Sequence, residues 1–140
     1  MKVVIIVFPG SNCDRDVAVA ISKCTPAKTI MHWHGDPDLP RADSIVIPGG
    51  FSYGDYLRPG SLAAHSPVIR QIIKKAKGGT PVLGICNGFQ ILTECGLLPG
   101  TLMRNIKLKF ICRNINLSVE NTQSIFTNGY VCKQTIKMPI

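Results

Sequence analysis

Pro81-Val82-Leu83-Gly84-Ile85-Cys86-Asn87-Gly88 is the stretch from which the fold of this chain is read. Residues 81–85 form an apolar run suited to a strand, and residues 87–95 show the apolar spacing of a helix. Between them stands G-x-C-x-G, the spacing of a nucleophile elbow. Its glycines have a physical reason. A residue on so tight a strand-to-helix turn takes a strained backbone, and side chains on either side of it would collide. The elbow sets the sulfur of Cys86 above the carboxyl end of the sheet, where open α/β folds hold their ligands. It also sets it at a helix N-terminus, the electropositive end, with the Asn87 N–H as one oxyanion donor. The plainer alternative is a buried core thiol beside an ordinary tight turn.

Outward from the elbow, short apolar runs alternate with amphipathic segments, as in a parallel α/β sheet. Residues 3–8 (VVIIVF) are continuously apolar, as expected of a strand covered on both faces. Ser11 and Asn12 are positioned to cap a helix from about Asp14 to Cys24, with Val17, Ala20, Ile21 and Cys24 on one face. Strands are expected at residues 29–31 and 43–47. A helix follows at Pro67–Lys77, with Ile69, Ile72, Ile73 and Ala76 inward. After Gly100 the expectation is of strands at residues 109–117 and 135–140, joined by polar turns that include Asn128-Gly129. The whole is read as one domain, residues 1–140.

Composition narrows the class. Hydrophobic residues are 45% and charged residues 17%, a globular balance. The longest early apolar run stops at Pro9-Gly10, too short for a secretory or spanning segment, so no membrane role and a cytoplasmic location are expected. Six cysteines are irregularly spaced without a C-x-x-C pair, which points to reduced thiols and no metal site. The net charge of +8 is spread thinly. Lys74, Lys75 and Lys77 sit on the solvent face and last turn of one helix, so nucleic acid is not the expected partner.

A second glycine motif, Ile45-Val46-Ile47-Pro48-Gly49-Gly50, ends another strand at the same sheet edge. Its exposed N–H groups form an anion-binding nest able to supply a second oxyanion donor. Together, Ile47-Pro48-Gly49-Gly50-Phe51 and Leu83-Gly84-Ile85-Cys86-Asn87-Gly88-Phe89-Gln90 resemble the paired motifs of class I (triad) glutamine amidotransferases. Residues 9–16 (PGSNCDRD) and 49–60 (GGFSYGDYLRPG) narrow the resemblance to the PurQ-type glutaminase subunits of phosphoribosylformylglycinamidine synthases.

The resemblance implies a flavodoxin-like, open, mostly parallel sheet with helices on both faces, C-terminally incomplete here. It implies that Cys86 attacks the side-chain carboxamide of glutamine, that N–H groups of Gly50 and Asn87 hold the oxyanion, and that Gly49 and Gln90 contact the bound glutamine. Ammonia would pass to a large synthetase subunit, assisted by a small third subunit, for the amidation of formylglycinamide ribonucleotide. ATP and magnesium would serve that partner. This chain has no G-x-x-x-x-G-K-[ST] loop, and no cofactor of its own is expected. The family's triad histidine and glutamate belong to a segment C-terminal to the residues present here. The alternative is therefore a truncated, catalytically impaired module that only binds the synthetase.

Other residues receive plainer readings. His32 and His34 are expected at the surface or in a loop, and His65 is a remote candidate for the base. Cys13 is expected to serve local structure or N-capping. Tyr53, Asp55, Tyr56 and Arg58, in the long loop, suit either loop packing or a subunit interface.

Overall fold

The computed structural model describes residues 1–140, which divide into two compact units, Met1–Leu102 and Met103–Ile140. The first contains β1 (Lys2–Val7), α1 (Asp14–Cys24), β2 (Lys28–Trp33), β3 (Ser44–Ile47), α2 (Pro67–Lys77), β4 (Val82–Gly84) and α3 (Asn87–Glu94). A turn at Ser52–Asp55, with left-handed φ at Tyr53, Gly54 and Asp55, and a single-turn 3-10 helix at Ala63–His65 lie in the long connection before α2.

The four strands form one parallel sheet in the order β2-β1-β3-β4. Alternate side chains of β1 leave on opposite faces. Val4 and Ile6, with Ile45 and Ile47 of β3, pack on Val68, Ile69 and Ile72 of α2 and on Ile91 and Leu92 of α3. Val3, Ile5 and Val46 face the other way, toward Val17, Ala18 and Ile21 of α1. Helices thus cover both faces, as expected of a flavodoxin-like sheet. Ile5, Ile6, Ile45 and Ile47 are fully buried, and each such side chain contributes about 1.5–3 kcal/mol.

The chain runs from β1 out to β2 and then returns to β3 on the other side. Such a reversal opens a crevice at the carboxyl ends of the strands, here between the loops that leave β1 and β3.

Three local expectations are corrected. Ser11 and Asn12 do not cap α1: Cys13 stands at the N-cap and no side chain bonds there. The β1 exit loop is instead drawn toward β3, where Asn12 lies against Gly50. The inward face of α1 is Val17, Ala18 and Ile21, while Ala20 and Cys24 are exposed. Strand β2 runs on through His32 and Trp33, and both His32 and His34 are buried.

The second unit holds an antiparallel pair, β5 (Asn114–Ser118) and β6 (Thr135–Pro139), in the register Asn114↔Pro139 to Ser118↔Thr135. The strand expected at residues 109–117 begins later. Leu108 adopts a left-handed φ of 53°, and Asn105 donates to the Lys109 carbonyl, so this stretch turns rather than extends.

Candidate functional site

Cys86 connects β4 to α3 with φ 52° and ψ −110°. A non-glycine residue in that region carries about 1–3 kcal/mol of backbone strain, which persists only where the surroundings over-determine it. The surroundings here are two glycines. A Cβ on Gly84 would stand 2.6 Å from Leu92 Cδ1 and 2.7 Å from the Gly88 carbonyl oxygen. A Cβ on Gly88 would overlap the backbone carbonyl of Ile47. The elbow helix is therefore pressed onto the end of β3, and both glycines are required by space. Cys86 itself is exposed. The core-thiol alternative does not describe it.

Beside the elbow, β3 ends in Pro48-Gly49-Gly50. A Cβ on Gly49 would lie 3.4 Å from the Cβ of Cys86 and 3.8 Å from that of Cys13. Gly49 is thus flanked by the exits of β4 and β1. Gly50 has φ 127°, and a side chain there would meet the Asn12 N and Oδ1 at 2.7 Å. The backbone N–H groups of Gly50 and Asn87 have no partner within the fold. Two unpaired donors at the carboxyl edge beside an exposed sulfur are suited to a developing oxyanion.

The loop after Gly50 is held from both sides. Phe51 N–H donates to the Gly10 carbonyl (3.0 Å) and Tyr53 N–H to the Pro9 carbonyl (2.7 Å). On the α3 side the side chain of Asn87, 2% exposed, makes three bonds. Its Oδ1 accepts the Ser52 N–H (3.1 Å), and its Nδ2 donates to Asp55 Oδ1 (3.3 Å) and Gln90 Oε1 (2.9 Å). Burial raises the Asp55 carboxyl above the usual carboxylate range, partly offset by bonds from Asn87 and the Gly60 N–H. Gly60 is seated on α3, where a Cβ would stand 2.8 Å from the Ile91 N. Arg58 closes the same flank with a two-pronged contact to Glu94, at 3.0 and 2.7 Å. The hydroxyl of Ser52 is buried without a partner.

His32 and His34 lie elsewhere. His32 bonds the Asp36 carbonyl (2.9 Å) through Nε2. His34 Nδ1 lies 3.1 Å from both Ser66 Oγ and Tyr53 Oη, and its ring stacks on Phe8. Burial lowers the pKa of His34. Both leave the β2 edge of the sheet, three strand spacings or about 14 Å from β4. Sulfur hydrogen bonds involve Cys13, Cys95 and Cys132, and none joins Cys86 to a histidine. No group of three or more His, Cys, Asp or Glu is arranged to hold a metal. No helix is long and apolar enough to cross a membrane.

The structure thus brings Cys86, Asn87, Gly49 and Gly50 to one edge, with Gln90 one helical turn on and tied to Asn87. Sequence reading missed the Asn87 side chain as a hub and Asp55 as its partner. The signal available was an asparagine inside the elbow and a long loop rich in glycine.

The CobB/CobQ-like glutamine amidotransferase domain family matches residues 1–140. The phosphoribosylformylglycinamidine synthase subunit PurQ of Zymomonas mobilis is 59% identical over 141 residues, covering 100% of this chain and 64% of that protein. Its counterpart from Novosphingobium aromaticivorans is 57% identical over 137 residues, covering 97% of this chain and 61% of that protein. The structure of PurLQS from Thermotoga maritima matches with a TM-score of 0.91 and 44% identity, covering 99% of this chain and 65% of that one. The chain spans a little under two thirds of the length of these relatives.

Proposed function

The chain belongs to the CobB/CobQ-like glutamine amidotransferase domain family, and on that premise we propose that it is the nucleophile-bearing part of a glutaminase subunit that supplies ammonia to purine synthesis. The observation that carries the reading is the strained, exposed Cys86 set between Gly84 and Gly88, beside the unpaired N–H groups of Gly50 and Asn87.

In this reading the Cys86 sulfur adds to the side-chain carboxamide carbon of glutamine. The carbonyl oxygen takes the negative charge and is held by the Gly50 and Asn87 N–H groups. The C–N bond then breaks, ammonia leaves with an added proton, and a γ-glutamyl thioester remains. Water hydrolyses the thioester to glutamate and returns the thiol. Gly49 and Gln90 contact the glutamine. Proton transfer needs a base and acid, which the family resemblance places in a triad histidine and glutamate outside these residues.

The names of the relatives support the wider setting. Ammonia would pass to a large synthetase subunit, with a small third subunit, for the conversion of formylglycinamide ribonucleotide to its amidine. ATP binding and the magnesium-dependent ligase step belong to that partner, and the chain itself carries no cofactor. The assembly works in the cytoplasm.

The test is alkylation by a γ-diazoketone analogue of glutamine, followed by peptide mass mapping. Labelling of Cys86, prevented by glutamine, is the expected result. Labelling of Cys13 or Cys95 with Cys86 spared would overturn the assignment. Glutamate release by the chain mixed with the large subunit separates a turning-over glutaminase from a module that only docks.

A further inference from the structure

The loop that follows the Gly49-Gly50 turn is fastened to the elbow helix through one side chain. A backbone N–H can only donate, so the bond from Ser52 fixes Oδ1 of Asn87 as the acceptor. Nδ2 must then be the donor, and it faces Asp55 Oδ1 and Gln90 Oε1, both acceptors. The far end of the loop is seated on α3 at Gly60, where a Cβ would stand 2.8 Å from the Ile91 N. The first half of the loop is thereby tied to the first turn of α3 through Asn87, and its end packs directly on the helix. Tyr53 and Asp55 hold left-handed φ values of 54° and 52°, a conformation that costs energy and therefore needs such external ties.

We propose that the Asn87 side chain is a positioning residue: paired with Asp55, it latches residues 51–55 onto the elbow and so sets the Gly50 N–H at its distance from Cys86. The inference rests on the glutaminase reading above, because it concerns the oxyanion donors of that reaction. It assigns Asn87 a second task besides its backbone N–H.

The donor–acceptor logic makes the latch separable from its chemistry. Asn87→Asp keeps an acceptor for Ser52 but sets two carboxylates face to face. Asp55→Asn keeps an acceptor for Asn87 Nδ2. The double variant restores a complementary pair with the roles exchanged. The readout is the rate of Cys86 alkylation by the γ-diazoketone analogue, which requires the oxyanion site, against iodoacetamide, which displaces iodide without one.

The expected result is a selective loss of about tenfold or more with the diazoketone in N87D, little change in D55N, and recovery in N87D/D55N to within about threefold of wild type. The loss is read as the diazoketone rate relative to the iodoacetamide rate of the same variant, and N87D should melt below wild type with recovery in the double variant. An undiminished diazoketone rate in N87D, or a double variant no better than N87D, overturns the latch. Should N87D not fold, Asp55→Ala takes its place, and an unchanged diazoketone rate there overturns it. A wild-type Cys86 that the diazoketone does not label and that iodoacetamide labels at a rate unaffected by glutamine refutes the glutaminase reading and the latch with it. Normal wild-type labelling without an N87D defect refutes the latch alone.

Discussion

The α-carbon of Gly88 rests against the main-chain carbonyl of Ile47 so closely that a Cβ there would overlap it. The contact joins the elbow helix to the strand whose end carries Gly49 and Gly50. Backbone meets backbone, so neither side can give way by changing a rotamer.

Gly88→Ala is therefore expected to lose about 2–3 kcal/mol of stability, by overpacking that only a main-chain shift can relieve. Gly129→Ala is the control, since nothing lies within 4 Å of a Cβ there; it should stay within about 0.5 kcal/mol of wild type. Urea unfolding measures both.

Cys86 stores strain for its exposed position. Cys86→Gly should be more stable than Cys86→Ala by about 1–2 kcal/mol, because glycine relieves the unfavourable φ of 52° and alanine does not. Both variants should lose labelling by the glutamine analogue. Equal stability of the two would show that the elbow carries no strain.

Burial lowers the pKa of His34, which sets a direction for pH dependence. As pH falls, the unfolded chain takes up this proton first, and protonation favours unfolding. The contribution of His34 is complete above the ordinary histidine value and is lost as pH drops below about 6.5. Unfolding free energy measured between pH 7.5 and 5.5 should fall for the wild type and fall less steeply for His34→Gln. Burial raises Asp55 instead. Its contribution is present in acid and is lost as pH rises through the raised carboxyl value.

Hydrogen exchange should divide the chain. The amides of β1 and β3, with Val4, Ile5, Ile6, Ile45 and Ile47 buried, should exchange only on global unfolding. Those of β5 and β6, a two-stranded pair with mostly exposed side chains, should exchange orders of magnitude faster, since an isolated hairpin is marginal in water. Equal protection in both would contradict this.

The limits of sequence reading show at particular residues. Continuous apolar runs at β1 and β3 and the spacing of α2 were legible because each element buries its own local pattern. His32, expected at the surface or in a loop, is buried within β2, and His34 does lie in the turn after β2 but is buried there. The burial of His34 depends on Tyr53 and Ser66, brought from 19 and 32 positions away, and on Trp33 staying outside at 52% exposure. The failed caps at Ser11 and Asn12 have the same origin: Asn12 is recruited by Gly50, a neighbour only in space.

By itself the sequence determined the alternating α/β order, the elbow around Cys86 and the glycine turn at Gly49-Gly50, because tight turns and buried strands impose local residue choices. Tertiary structure alone decided what stands around them. It set Gly49 between Cys86 and Cys13, left the Gly50 and Asn87 N–H groups unpaired, and made Asn87 the tie between elbow and loop. These are relations between strand ends and loops distant in sequence. No local periodicity encodes them, since their partners meet only when the parallel sheet closes.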